Sequence, residues 1–378
     1  MTTLLRPTSA VRRIAGPVRR DLWQAAYLGD PEAVPYQSPA WMAALCAGGR
    51  YLDATRSYET ADGRVLVLPL IRRAGRPVRL SVAGSLPMAL GMGGLLADGG
   101  VRPDDVAGVC ADLAETPYAM VTVRPNPRLG PMWSAASPLA TTRVPRRAHV
   151  VELDRVEDVR GVLSRSVRKT VEKAERRGLS VEWDTTGVQL PVLEALYERS
   201  VERWAQRQHE PLALSRWRMQ HANRTPALAA VVEHLAGVFR LAVVRVDGEP
   251  AAAGIVLIQP GGSANGFRMA MDTELVGRTG AGYLVQVCAI EEAKRLGCRA
   301  FHLGESGEAG GLSDHKDRMG GVAYAYEEIL FERLPVYRLD QAARSAVKRL
   351  IGFRDLGRRE QSPQHPTDEP SDQSPAGD

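Results

Sequence analysis

The stretch FRLAVVRVDGEPAAAGIVLI, residues 239–258, decides how the chain is read. Two strand-like runs, Phe239–Val246 and Glu249–Ile258, meet at Asp247-Gly248. An Asp-Gly pair between such runs marks a hairpin, because glycine tolerates the positive φ of a tight turn. Downstream follow a strand over 264–271, a glycine loop over 277–282, a helix over 283–296 closed by Gly297, and a strand over 299–303. Upstream, the same order has already occurred once. Residues 54–58 lead through Asp62-Gly63 into RVLVLPLIRR (64–73) and the glycine-rich SVAGSLPMALGMGGLL (81–96). A helix opened by Pro103-Asp104-Asp105 and a strand at 118–123 complete that unit. The repetition predicts an α/β (α+β) protein of two related tandem domains. Each is expected to carry its own mixed, mostly antiparallel sheet flanked by helices, rather than a share of one large sheet.

Helices separate the two units. Over 162–177, Leu163, Val167, Val171 and Ala174 fall on one face, and Gly178 supplies a stop. The other faces carry Arg165, Arg168, Lys169, Lys173, Arg176 and Arg177. Pro191 opens a second helix, and a third runs from near Ser215 to Leu235. A last one, over 339–356, sets Leu339, Ala343, Val347, Leu350 and Ile351 beside Arg338, Arg344, Lys348, Arg349 and Arg354. The expected organisation is a flexible basic N-terminus (1–20), an N-terminal domain (21–150), a C-terminal domain with inserted helices (151–356) and a disordered acidic tail (357–378).

A length of 378 residues agrees with two domains at ~100–200 residues each. Apolar residues make up 44% and charged residues 25%, which fits a soluble globular chain. The apolar run AAAGIVLI (251–258) is far short of the ~20 residues that span a bilayer. The first twenty residues hold five arginines and no apolar block of signal type, so a cytoplasmic location is expected. Lys+Arg 49 against Asp+Glu 44 gives +5, and the last eighteen residues hold four acids and no Lys or Arg, leaving a body of +5 − (−4) = +9. That charge suits nucleic acid, anionic lipid or a phosphorylated substrate without choosing among them. Cys46, Cys110, Cys288 and Cys298 are widely spaced with no CxxC pair, which predicts buried free thiols. No histidine pair has HExxH spacing, so no metal site is expected, and no Walker or dinucleotide fingerprint is present. Gly304-Glu305-Ser306-Gly307-Glu308 starts like a nucleophile elbow but lacks its final glycine.

The glycine loop running into the helix at 283 would aim backbone N–H groups and a positive helix end at a phosphate. It resembles the acyl-CoA loop of the GNAT acetyltransferases, Gln/Arg-x-x-Gly-x-Gly/Ala, with Gly280 and Gly282 at the small positions and Arg278 one place late. Other stretches carry a wider resemblance, to the FemAB-like branch of that superfamily. RSVRKTVEKAERRGLSVE (165–182) is similar to its R-x-x-[IV]-R-K-x-x-x-K-A-x-x-x-G helix, and 239–258 to its strand, DG turn and small-residue strand. CRAFHLGESGEAGGLSDHKDRMGG (298–321) is similar to its strand-G…GL-x-x-[aromatic]-K-x-x-[FM]-G ending, while PYQSPAWMAAL (35–45) and VLVLPLIRR (65–73) resemble its N-terminal half.

The resemblance implies two tandem GNAT-like domains and an acyltransferase that forms an amide bond. It implies transfer of an aminoacyl group from aminoacyl-tRNA to an amine acceptor, such as a peptidoglycan precursor or a peptide-like metabolite. An acyl-CoA donor is the alternative; either is a co-substrate, with no tightly bound cofactor. A fixed cation at the developing oxyanion can contribute ~3–4 kcal/mol, and the resemblance gives that role to Lys316. His315 stands where the family has Phe or Tyr. Glu305, Asp314 and His315 are candidates for accepting the amine's proton. Arg278, Gly280 and Gly282 are candidates for the donor, and Arg268 and Asp272 for the acceptor. The basic stretches 165–177 and 338–359 could contact tRNA phosphates, touch a membrane peripherally, or be solvated faces. Residues 184–238 are too short and irregular for the coiled-coil arm of some Fem proteins. A non-catalytic protein of this fold, binding nucleic acid or a membrane surface, is the reading from another class.

Overall fold

The 239–258 hairpin forms as its residues dictate. Asp247 (φ 51°) and Gly248 (φ 84°) are both left-handed, the pair of conformations that a two-residue type I′ turn requires. The structure, a computed structural model, describes residues 11–86, 90–217, 227–306 and 310–350. The acidic tail expected at 357–378 lies outside them.

The first half supplies strands β1 (Val11–Ile14), β2 (Tyr51–Asp53), β3 (Arg56–Thr60), β4 (Val65–Leu68), β5 (Ile71–Arg73), β6 (Val82–Ser85), β7 (Leu96–Ala97), β8 (Met120–Val123) and β9 (Thr142–Val151). Its helices are α1 (Arg20–Gly29), α2 (Pro39–Cys46), α3 (Pro103–Ala114) and α4 (Gly130–Ala136). The second half begins with α5 (Val159–Val162), α6 (Arg165–Arg176), β10 (Val181–Asp184), α7 (Leu190–Arg207), α8 (Leu212–Trp217) and α9 (Leu228–His234). Then come β11 (Phe239–Val246), β12 (Glu249–Ile258), β13 (Ser263–Met271), α10 (Thr273–Thr279), α11 (Ala281–Arg295), β14 (Ala300–Glu305), α12 (Gly310–Arg318), β15 (Val322–Glu332) and α13 (Val336–Leu350).

Four strands form a small sheet, β1-β3-β4-β7, and eleven form a large one, β10-β11-β12-β13-β14-β9-β15-β8-β6-β5-β2. The element order of the repeat is present in both halves, and both sheets are mostly antiparallel. The halves nevertheless share the large sheet instead of building one each. Strand β15 makes the junction: residues 322–330 pair with β9, while Ile329–Glu332 pair with β8 of the first half. This pairing spans about two hundred residues and has no local signature. The expected division at residue 150 meets the end of β9, whose two sheet neighbours both belong to the second half.

Three further differences have local causes. Val11–Ile14 ladders against β3, so the described part of the basic N-terminus includes a strand. The helix expected over 162–177 starts at Arg165, because the Ser164 hydroxyl accepts from the Val167 amide as an N-cap. The glycine loop is a helix, a hinge and a second helix. Asp272 caps α10 by accepting from the amides of Glu274 and Leu275, and Gly280 (φ 80°) ends it one residue before α11 begins.

Apolar residues gather in three clusters. One joins α1, α2 and α7 to one face of β11–β13, and a second packs α6 and α11 against the opposite face. The third lies between α3 and the first-half strands. In the first cluster Tyr36, Trp41 and Phe267 meet edge to face, and the Tyr36 hydroxyl donates to the Gly266 carbonyl. The first half thus rests on β13 where that strand bulges. All four cysteines are free thiols, with Cys110 and Cys298 buried and Cys46 and Cys288 half-buried.

Candidate active site

Strands β13 and β14 pair in parallel only over Ser263–Asn265 and Ala300–His302, and then separate. Beyond the separation, α10, Gly280 and the start of α11 face α6 across a cleft of about 610 Å³. Lys169, Thr170 and Lys173 line one wall, residues 276–280 and Gly282 the other, with Met271, Tyr283, Gln286 and His315 completing it. Among the described residues that line it, none is acidic. Lys169, Lys173 and Arg278 are exposed, so the mouth is cationic. Gly280 permits the close approach of α6, since a Cβ there would stand 2.6 Å from Thr170 Cγ2. Gly282 is buried against Met271, where a Cβ would meet the sulfur at 3.4 Å.

Helix α12 brings His315 to the lining of the cleft. His315 stacks on Tyr283 with ring centroids 5.2 Å apart, and its Nε2 lies 3.0 Å from Gln286 Oε1. Burial, reinforced by Arg318 and Lys316, holds its pKa below the ordinary value. His315 is thus a stacked aromatic ring whose imidazole is disfavoured from charging. Lys316, the next residue, is buried. Its Nζ donates to the backbone carbonyls of Gly304 (2.8 Å) and Glu305 (2.7 Å), at the end of β14. Burial pushes its pKa down to about 8, although Glu305 pulls the other way. An ammonium has three N–H donors, and the described residues accept from two of them.

The Glu305 carboxylate belongs to a polar cluster built by both halves. Tyr326 Oη on β15 donates to Glu305 Oε1 at 2.5 Å, and Arg124, just past β8, brings Nη1 to 3.4 Å. Arg124 and Arg146 also converge on Glu328. Burial, then the Glu305 charge, raises the Tyr326 phenol above its usual value, so it stays a donor. Strand β13 adds a separate feature: its register against β12 steps from Ile255–Arg268 to Val256–Gly266, leaving Phe267 with no cross-strand partner. A bulge of this kind releases backbone polar groups beside the parting strands.

Of the residues singled out from sequence, the structure gathers Arg278, Gly280, Gly282 and His315 in the cleft, with Lys316 and Glu305 just behind it. Asp314 is exposed and does not join them. Asp272 is occupied as the cap of α10 and pairs with Arg199 at 3.1 Å. Arg268 lies over the Tyr197 ring, 4.9 Å from its centroid, outside the cleft lining. Sequence reasoning missed Arg124 and Tyr326, which no local pattern marks, and the bulge, for which Gly266 inside a strand was the available signal.

Residues 163–317, the span that holds α6, the splayed strands, the cleft and Lys316, match the family model of the acetyltransferase (GNAT) domain. Over that span the chain is similar to the GNAT acetyltransferases. Its fold is similar to the crystal structure of FemX, with a TM-score of 0.59 at 12% identity, over 86% of this chain and 98% of that one. Weaker likenesses were found to a domain assigned to lysylphosphatidylglycerol synthetase of Agrobacterium fabrum and to a tandem GNAT protein of the clavulanic acid biosynthesis pathway. The first has a TM-score of 0.49 at 13% identity, over 89% of this chain and 98% of that one. The second has a TM-score of 0.45 at 16% identity, over 82% and 92%. None of the curated proteins compared matches the chain. Among the described residues, no helix of the chain is long and apolar enough to cross a membrane.

Proposed function

We propose that this protein transfers an aminoacyl group from aminoacyl-tRNA to an amine acceptor in the cytoplasm, forming an amide bond. The supporting observation is the cleft between α6 and the α10–α11 hinge, cationic at its mouth and continuous with the exposed Arg165, Arg176 and Arg177 of α6. A polyanion carrying a reactive ester at its end fits that gradient, because each neutralised phosphate adds salt-sensitive affinity. The amine nitrogen attacks the ester carbonyl, a C–N bond forms, and the C–O bond to the terminal ribose breaks. The amine gives its proton to Glu305, which Tyr326 and Arg124 hold at the strand separation, and Glu305 passes it to the leaving ribose oxygen, which departs as a hydroxyl. The remaining N–H of Lys316, or an amide freed at the bulge, stabilises the carbonyl oxygen as it gains charge. The acceptor is an amine-bearing metabolite of peptidoglycan-precursor or peptide type.

An acyl-CoA donor is the second reading, favoured by Gly280-x-Gly282 at the start of α11, where a pyrophosphate could meet backbone amides. Radiolabelled aminoacyl-tRNA and acetyl-CoA, offered separately with a pool of amines, distinguish the two. Transfer abolished by ribonuclease is the expected result. Release of free thiol that ignores the nuclease would establish the CoA reading instead, and no transfer from either donor would overturn both.

A further inference from the structure

Helix α13 carries a surface that the transferase site does not use. From Arg338 to Val347, and again at Arg349 and Leu350, its residues are exposed. Leu339, Ala343, Ala346, Val347 and Leu350 stand at i, i+4, i+7, i+8 and i+11, which places them on one face. The three large ones are 67%, 52% and 87% exposed, an apolar stripe that no other described element covers. Arg338 and Arg349 border the stripe on one side, and Arg344 lies toward the other. Over the helix, four cations (Arg338, Arg344, Lys348, Arg349) face one acid, Asp340.

We propose that α13 lies flat on an anionic membrane surface, with its leucines and valine in the acyl boundary and its arginines among the headgroups. The described part of the helix, 15 residues, is about 22 Å long. That length is sufficient for interfacial binding through a basic polar face and a large-residue apolar face. Charge selects this occupant over a second copy of the chain. Pairing two such stripes would bring like charges together along the seam, whereas an anionic surface gains from each arginine it meets. The inference does not depend on which donor the transferase uses.

The test uses the full-length protein and vesicles of phosphatidylglycerol with phosphatidylcholine, compared with phosphatidylcholine alone. The expected result is sedimentation with the anionic vesicles only, weakening as salt rises. Combined Leu339→Glu, Val347→Glu and Leu350→Glu should lower that binding by roughly tenfold or more. Because those side chains are already exposed, circular dichroism and the melting temperature should not change. Arg338→Gln with Arg344→Gln and Arg349→Gln should lower it comparably. Equal binding to neutral vesicles, undiminished binding by the glutamate variant, or a dimer that dissociates when the stripe is changed would each overturn the proposal. So would arginine variants that lose affinity for tRNA while sedimenting unchanged.

Discussion

At the scale of single residues, Lys316 and His315 are neighbours given opposite tasks by one helix. His315 turns into the cleft and stacks on Tyr283; Lys316 turns behind it and ties down the end of β14. If stacking is what the site needs at 315, His315→Phe should hold kcat/KM within about twofold, whereas His315→Asp should lose most of it. Steady-state kinetics on the two variants checks this, and an equal loss in both would show that the imidazole itself is required. Lys316 carries a pH signature. Its folded pKa of about 8 lies below the unfolded value of 10.5. Between those values the unfolded chain binds the proton and the native one does not, so this group makes stability rise with pH across that window. The total is about 3 kcal/mol. Denaturant melts of wild type and Lys316→Met from pH 7 to 10.5 should converge or diverge by that amount, the wild type gaining. If charge is the catalytic element, activity should fall above pH 8 in the wild type and not in Lys316→Arg. Lys316 was legible because a short motif surrounds it. Arg124 and Tyr326, some two hundred residues apart in the chain, meet Glu305 only through strand pairing.

At the scale of elements, α6, α10 and α11 set the cleft, and Gly280 sets their spacing. A side chain at 280 would meet Thr170 Cγ2 and would strain a backbone at φ 80°. Gly280→Ala should therefore cost about 2–3 kcal/mol and raise the donor's KM more than it lowers kcat. Adding Thr170→Ser, which removes that methyl, should recover part of both effects; strict additivity in the double-mutant cycle would count against the contact. The hairpins and both α6 faces could be read from sequence because their signals are local: Asp-Gly turns, a 3.6-residue apolar stripe, a stopping glycine. Helix α10 could not, because Gly277 and Gly280 flank so few helix-forming residues that the segment resembles a loop. What makes it a helix is the cap supplied by Asp272, a residue whose sequence reading pointed to substrate instead.

At the scale of the whole molecule, the shared sheet makes the halves interdependent. Strand β8 of the first half is laddered to β15 of the second, and Arg124 carries the connection into the site by pairing with Glu305 and Glu328. Two domains with separate sheets could open one at a time; strands that interleave in a single sheet lose their ladder partners together. The full chain should accordingly unfold in one transition, with intrinsic fluorescence and circular dichroism coincident. Arg124 links this stability to the chemistry. Only 5% of its side chain is exposed, so Arg124→Met leaves two carboxylates near Arg146 and Tyr326 without their shared cation. Breaking a buried pair in this way costs roughly 3–5 kcal/mol, and the change should also release Glu305 from its place at the strand separation. The expected phenotype is a lower melting midpoint together with a loss in kcat larger than the change in donor KM. A variant that loses stability but keeps kcat would show that the cluster holds the halves together without ordering the proposed proton acceptor.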